Sequence, residues 1–396
     1  SQTGSNTGFT AAANFGQKPF KFPPPAGFQP LNAANVRPVK VITRPDQYVG
    51  VTTYTGNGGT QSIETGHKFD FVWIKTRSGS GNHHIFDVVR GVNKSLHSDT
   101  TASTETTTAG LTSFDSNGFS IGNSNNDING NDITFVSWNW KAGGSKNTFN
   151  VDDVGYASAA AAGLTAGDTT PTGASVGTKQ GFSIIKYTGP NDTNNHEVPH
   201  GLSQAPDFII TKNLDATYNW DIYHSSLADD AYLIFTNAAT RAQGFNGRPT
   251  STVFKTEHDY STNENQDYIA YCWHNVTGLQ KFGIYEGNNN SDGPFVELGF
   301  RPSIIWMKNI DASGNWIIYD NERDKFNGAT KILLADTTGG GNANDAFVGS
   351  YPTDFLSNGF KIRNTTGEIN GSNTYIYCAW AEAPEFNLYG AQSNAR

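Results

Sequence analysis

Strand-length runs of β-branched and aromatic residues recur along the chain, each bounded by Gly, Pro, Asn or Asp. Phe71-Val72-Trp73-Ile74-Lys75, Phe208-Ile209-Ile210-Thr211-Lys212 and Ile304-Ile305-Trp306-Met307-Lys308 are of this kind, the pattern of β-strands. A second set, Thr134–Trp140, Tyr268–Trp273 and Tyr375–Trp380, carries aromatics on alternate positions. Between the runs lie turn signals such as Asn57-Gly58, Asn117-Gly118, Asn129-Gly130, Asn246-Gly247, Asp292-Gly293, Asn358-Gly359 and Asn370-Gly371, where positive φ costs glycine little. Many short antiparallel strands and little helix are the expectation.

The same words return in the same order three times. Tyr54-Thr55-Gly56, Tyr187-Thr188-Gly189 and Tyr285-Glu286-Gly287 open the copies, and Trp138, Trp273 and Trp380 are read as closing them. Lys75 to Asp87, Lys212 to His224 and Lys308 to Asp320 are each 12 residues apart, whereas Lys to closing Trp varies as 63, 61 and 72. Insertions therefore fall between elements, where loops absorb them. The sequence predicts an all-β chain of three tandem antiparallel β-sandwich repeats, jelly-roll or lectin-like, at 47–143, 181–277 and 278–388. Residues 144–180, rich in Gly, Ala, Ser and Thr, read as a linker or extended connection with some β residues pairing onto a neighbour. That arrangement would leave the first copy free to move against the other two. Residues 1–46 read as an N-terminal arm with a polyproline-like stretch at Pro23-Pro24-Pro25, and 389–396 as a C-terminal tail. The start at Ser1, without an initiating Met, suggests the tail end of an upstream domain.

Composition narrows the function more than the fold. With 43 Gly, one Met and 12% aromatic residues among 396, the chain is too aromatic for disorder and poorly suited to long helices. A net charge of −9 repels phosphate, so nucleic acid is not the expected partner. No apolar run reaches the length of a membrane span. Two cysteines, Cys272 and Cys378, cannot build a disulfide framework or a cysteine-rich zinc site.

Candidate chemistry is sparse. Lys75, Asp87 and Arg90 recur as Lys308, Asp320 and Arg323, while the second copy keeps Lys212 but carries His224 and Leu227. Such a set could hold a carboxylate, but recurrence in every copy favours a strand-end ion pair that fixes register. His83-His84, His196, His200, His224, His258 and His274 include one metal-like grouping, His196 with Glu197 and His200, although Pro199 and Gly201 deny it a helix. The Asn/Asp/Gly clusters at 123–132, 191–195 and 288–292 offer oxygen ligands for calcium without the EF-hand order, and also read as tight turns. There is no phosphate loop and no G-x-S-x-G elbow, so no catalytic residues are assigned and no cofactor beyond possible calcium. Trp220 and Trp316, next to loops, are the candidates for stacking on a sugar ring.

At Tyr54-Thr55-Gly56-Asn57-Gly58, Val72-Trp73-Ile74-Lys75, Asp115-Ser116-Asn117-Gly118-Phe119, Trp138-Asn139-Trp140-Lys141-Ala142-Gly143 and Gly299-Phe300-Arg301-Pro302, the chain resembles a family of repeated β domains in structural proteins of marine tailed phages. In that family the segment like Asn14-Phe15-Gly16-Gln17-Lys18-Pro19-Phe20 resembles the last strand of a preceding SPRY-type domain. The resemblance implies a place, the virion surface, and not a reaction: a non-enzymatic tail fibre, spike or capsid appendage contacting host glycan or protein. Its implied partners are other virion proteins and further copies of itself, a homo-oligomer with a trimer favoured. A purely structural capsid or tail decoration protein without ligand, and a glycan depolymerase, stand as alternatives.

Overall fold

The computed structural model describes residues 42–106, 110–123, 126–190, 194–242, 244–256, 265–338 and 351–385. The protein is all-β; among these residues the one α-helical turn is Asn126–Asn129, and no helix is long and apolar enough to cross a membrane. Most of the N-terminal arm, the C-terminal tail and the Asn14–Phe20 motif lie outside the described residues.

One strand order occurs in three sheets. In the first copy Val49–Thr55, Thr134–Trp140, Phe71–Thr76 and His84–Asp87 lie side by side, all antiparallel. In the second the order is Phe182–Thr188, Asp267–Trp273, Phe208–Asn213, Trp220–His224, and in the third Gln280–Glu286, Thr374–Pro384, Phe300–Asn309, Ile317–Asp320. A smaller sheet belongs to each: Gln61–Glu64, Gly118–Ile121 and Leu111–Asp115; His196–Pro199 with Val253–Thr256; and Phe295–Glu297, Gly359–Ile362 and Thr353–Leu356.

Period-two alternation in these strands serves two different cores. Val72 and Ile74, Ile209 and Cys272, and Ile305 and Met307 each face their own copy's smaller sheet, in three separate apolar clusters. The alternate positions, including Phe71 and Trp73, Phe208 and Ile210, and Ile304 and Trp306, all face one cluster shared by the three copies. At its centre Trp140, Trp273 and Trp380 meet pairwise, with ring centroids 6.4, 5.3 and 6.2 Å apart. Trp273 and Trp380 pair with Phe208 and Ile304, four residues before the strand-end Lys, and the residue paired with the equivalent Phe71 is Trp140. The closing tryptophan of the first copy is therefore Trp140, not Trp138. Both lie on the same face of one strand, so periodicity could not separate them; pairing register does.

The shared cluster joins the first copy to the others instead of leaving it mobile. The expected linker also takes part: Phe149–Val151, Val154–Tyr156 and Pro171–Gly177 extend the second sheet to seven strands and cover the edge of Phe182–Thr188. The passage is tight at Gly143, where a Cβ would come within 2.3 Å of the Val176 carbonyl oxygen, so only glycine fits.

A cyclic set of hydrogen bonds closes the ring of copies. Trp220 Nε1 donates to the His97 carbonyl at 2.8 Å, Trp316 Nε1 to the Ile234 carbonyl at 2.9 Å, and His83 Nε2 to the Leu334 carbonyl at 2.9 Å. The donors stand eight residues after Lys212, Lys308 and Lys75, so second meets first, third meets second and first meets third. His83 accepts from Trp73 Nε1 on its other nitrogen, 2.7 Å away, which fixes its tautomer with the proton on Nε2.

Candidate functional site

The recurring Lys/Asp/Arg set lies wholly inside this seam. Asp87 Oδ1 accepts from the backbone N–H of Val89 and Arg90, and its Oδ2 from Arg90 Nε at 2.5 Å and from the Tyr271 hydroxyl of the second copy at 2.8 Å. Asp320 repeats the arrangement with Glu322, Arg323 and, from the first copy, Trp138 Nε1 at 3.0 Å. In the second copy His224 replaces the acid, and the residue corresponding to Trp138 and Tyr271 across that seam is Cys378. His224 instead meets the Tyr377 carbonyl through Nε2 and accepts the Ser226 N–H on Nδ1. The acid is absent where the strong donor facing it is absent, so the set is matched across the seam as architecture. No solute reaches it: both ion pairs are buried.

Each lysine pins a loop to the ring. Lys75 Nζ donates to the carbonyls of Gly81 and, from the third copy, Thr338; Lys212 Nζ donates to those of Tyr218 and, from the first, Thr101; Lys308 Nζ donates to that of Gly314. Burial holds all three near pKa 8, although nearby carboxylates oppose the shift. The unfolded chain, with lysines near 10.4, binds more protons between about pH 8 and 10, so this group gains stability as pH rises through that window. Buried Cys272 and Cys378, held protonated, act in the opposite direction. The expected result is therefore a difference: from pH 7.5 to 9.5 the wild type gains roughly 2 kcal/mol on Lys212→Met in urea unfolding. A gap that stays constant or moves the other way contradicts charged, buried lysines.

Above the lysines, at one end of the pseudo-threefold axis, is a cavity of about 520 Å³. Its wall combines the segment after each copy's fourth strand: Asp99, Thr100 and Thr101 from the first copy, Phe235, Thr236 and Asn237 from the second, Asp336 and Thr337 from the third. Asn219, Asn315 and Trp220 complete it. Phe235 stands where the other copies have Ser98 and Ala335, and its ring lies against Trp73, Trp220 and Trp316 at 5.4–5.7 Å. Asp99 Oδ1 accepts the His83 N–H at 3.0 Å, while its buried Oδ2 has no partner among the described residues; Asp336 Oδ1 accepts the Trp316 N–H at 3.1 Å. Burial pushes both carboxyls up, Asp336 to about 6. Amides, hydroxyls and acceptor carboxylates over an aromatic floor suit a neutral, hydroxyl-rich ligand and disfavour an anion.

Of the two tryptophans expected to stack on sugar, Trp220 lines this cavity and Trp316 does not. Both are about 2% exposed or less, and both commit their indole N–H to the seam. Neither offers a free ring face, because both rings are turned into the shared core. His196 lies 3.2 Å from Asp168, and His200 is held by the Thr250 carbonyl and the Leu202 N–H. Among the described residues no three His, Cys, Asp or Glu side chains are placed to hold one metal ion; His258 lies outside them. In the 288–292 cluster Asn288 and Asn290 spend their side-chain oxygens on the N–H of Asn290 and Asp292, which makes it a turn. The cavity itself left one sequence signal, Asp-Thr-Thr at 99–101 and 336–338 three residues after Leu96 and Leu333, broken to Thr236-Asn237-Ala238 in the second copy.

Residues 44–384 match the family described as a domain of unknown function, DUF7483. No curated protein and no solved structure shows significant similarity to the chain.

Proposed function

Since the chain belongs to the DUF7483 family, whose function is unknown, its role has to be argued from its own site: we propose a non-enzymatic structural protein of a phage virion whose axial cavity takes a neutral sugar of the host surface. The cavity's composition carries this reading, with three amides, four threonines and two raised carboxyls around Phe235 and Trp220. The phage-family resemblance supports the place, a tail fibre, spike or capsid appendage at the virion surface in contact with other virion proteins. On this reading the chain is three tandem sandwiches turned inward on one core. Homo-oligomers, a trimer by preference, would multiply a weak single site through avidity.

Titration with neutral and acidic saccharides followed by calorimetry tests it. A neutral saccharide should bind, and Asn219→Leu should weaken it at least tenfold, since a buried sugar hydroxyl would lose its partner, with the melting temperature kept within a few degrees. Absence of neutral-sugar binding, or equal affinity in Asn219→Leu, contradicts the proposal. A second reading, glycan hydrolysis, is favoured by Asp336 near 6 in a cavity that Asp99 also lines, since an acid catalyst needs a raised carboxyl and a second acid in one cleft. Reducing-end release abolished by Asp336→Asn would establish it in place of simple binding.

A further inference from the structure

The three copies can be compared position by position, and one corner of the first lacks the acid that the third has there. In the third copy Arg301 Nη2 meets Glu382 Oε1 at 3.0 Å, two residues past the closing Trp380. The corresponding residues of the first copy are Lys68 and, two past Trp140, Ala142. The acid is gone, and the residue between, Ala381 in the third copy, is Lys141 in the first. Lys141 bonds Asp153 at 2.8 Å, whereas Lys68 has no hydrogen-bonded acid among the described residues. Two further acids are near: Asp70, which feels the charge of both lysines and accepts the N–H groups of Ala142 and Gly144 on Oδ2 at 2.8 and 3.0 Å, and Asp46, held by both nitrogens of the Arg44 fork at 2.7–2.9 Å.

These two lysines line a cleft of about 480 Å³ with Tyr48, His67, Gln47 and Asn117. His67 is 6% exposed, and its Nε2 has no partner among the described residues. Burial and the Lys141 charge hold the ring neutral at pH 7. The counterparts of His67 in the other copies, Gln204 and Phe300, have no such vacancy: Gln204 donates to the Asn275 carbonyl and Phe300 is in the core. Two ammonium groups, only one of them bonded to a carboxylate, with the Tyr48 phenol, the Gln47 and Asn117 amides and an imidazole nitrogen without a partner among the described residues, make an anion cradle.

We propose that this cleft, formed by Lys68, Lys141, Tyr48 and His67, is a second binding site, specific to the first copy and selective for a small oxyanion such as the carboxylate of an acidic sugar. It is separate from the axial cavity and does not depend on what that cavity binds. The chemistry is shared by a hexuronate, sulfate and inorganic phosphate, so the test uses all three as separate titrants at constant ionic strength, with glucose as the uncharged control. Glucuronate should bind saturably and glucose should not bind at this cleft. Lys68→Met should weaken glucuronate at least tenfold, while Lys281→Met, which removes a half-buried lysine of the third copy that is held by Glu297, should leave it unchanged. Phosphate or sulfate binding more tightly than glucuronate would make the natural ligand an inorganic or ester oxyanion and overturn the sugar assignment. No saturable binding of any of the three, or an equal loss in Lys281→Met, would overturn the site. Because the Lys68 ammonium makes no hydrogen bond or ion pair among the described residues, a melting temperature retained in Lys68→Met separates lost binding from lost structure.

Discussion

Arg323→Leu lowers the unfolding free energy by about 3–5 kcal/mol. The substitution leaves Asp320, 1% exposed, as a buried carboxylate without its cation, and it removes a guanidinium whose Nη2 caps the Ile318 carbonyl and whose carbon lies 5.7 Å from the Trp138 ring centroid. The second copy suggests the rescue. His224 and Leu227 occupy the same positions without a charge, so Asp320→His combined with Arg323→Leu should be more stable than Arg323→Leu alone. Recovery stays incomplete, because the group across the seam differs. His224 faces a carbonyl through Nε2, whereas an imidazole at 320 faces the Trp138 N–H as well as the backbone N–H groups that Asp320 now accepts. A neutral imidazole has one acceptor nitrogen; with the N–H at 323 turned to the backbone carbonyl of 320, as Leu227 N–H is to that of His224, one of the other two donors stays unsatisfied, at about 1–3 kcal/mol. Urea unfolding of the three proteins checks the order wild type, double variant, single variant. A cost below 1 kcal/mol for Arg323→Leu would mean that the pair is not buried in a matched seam.

The strands were legible in the sequence because their alternation is strong, and the strand order common to three sheets because Lys75, Lys212 and Lys308 keep one spacing to the next landmark. What the alternation could not reveal is where each face goes. Trp73 and Val72 are both apolar and both buried, yet one belongs to the shared core and the other to a single copy. For the same reason Trp138 and Trp140 were indistinguishable until register placed the second on the axis. The axial site was invisible for a different reason. Asp99, Asp336 and Asn237 are ordinary loop residues in sequence, and only the closing of three copies into a ring brings them to one wall. Trp220 stands out in the sequence for its loop position, but its indole N–H is committed to the His97 carbonyl. The cleft at Lys68 becomes visible only when strand register lines up Arg301–Glu382 with Lys68 and Ala142.

The second large effect is expected at the axis. Trp273→Ala removes one of three mutually contacting indoles and costs about 3–5 kcal/mol. Its Nε1 has no polar partner among the described residues, so the loss is packing and not a broken hydrogen bond. The ring touches Phe182 at 4.5 Å and Phe208 at 5.6 Å in its own copy, and Trp140 and Trp380 in the other two. The destabilisation should therefore reach all three copies at once. Independent sandwiches would confine it to residues 181–277, leaving the first and third copies to melt as in the wild type.

Whether one core unites the copies is tested most directly by scanning calorimetry of the wild type. At about 0.7 kcal/mol per residue the described residues should absorb roughly 220 kcal/mol on unfolding. With a shared core this heat is taken up in one transition whose van't Hoff enthalpy equals the calorimetric value, and Trp273→Ala moves that whole transition to lower temperature. A calorimetric enthalpy near three times the van't Hoff value, or a variant that shifts only part of the heat, would contradict it.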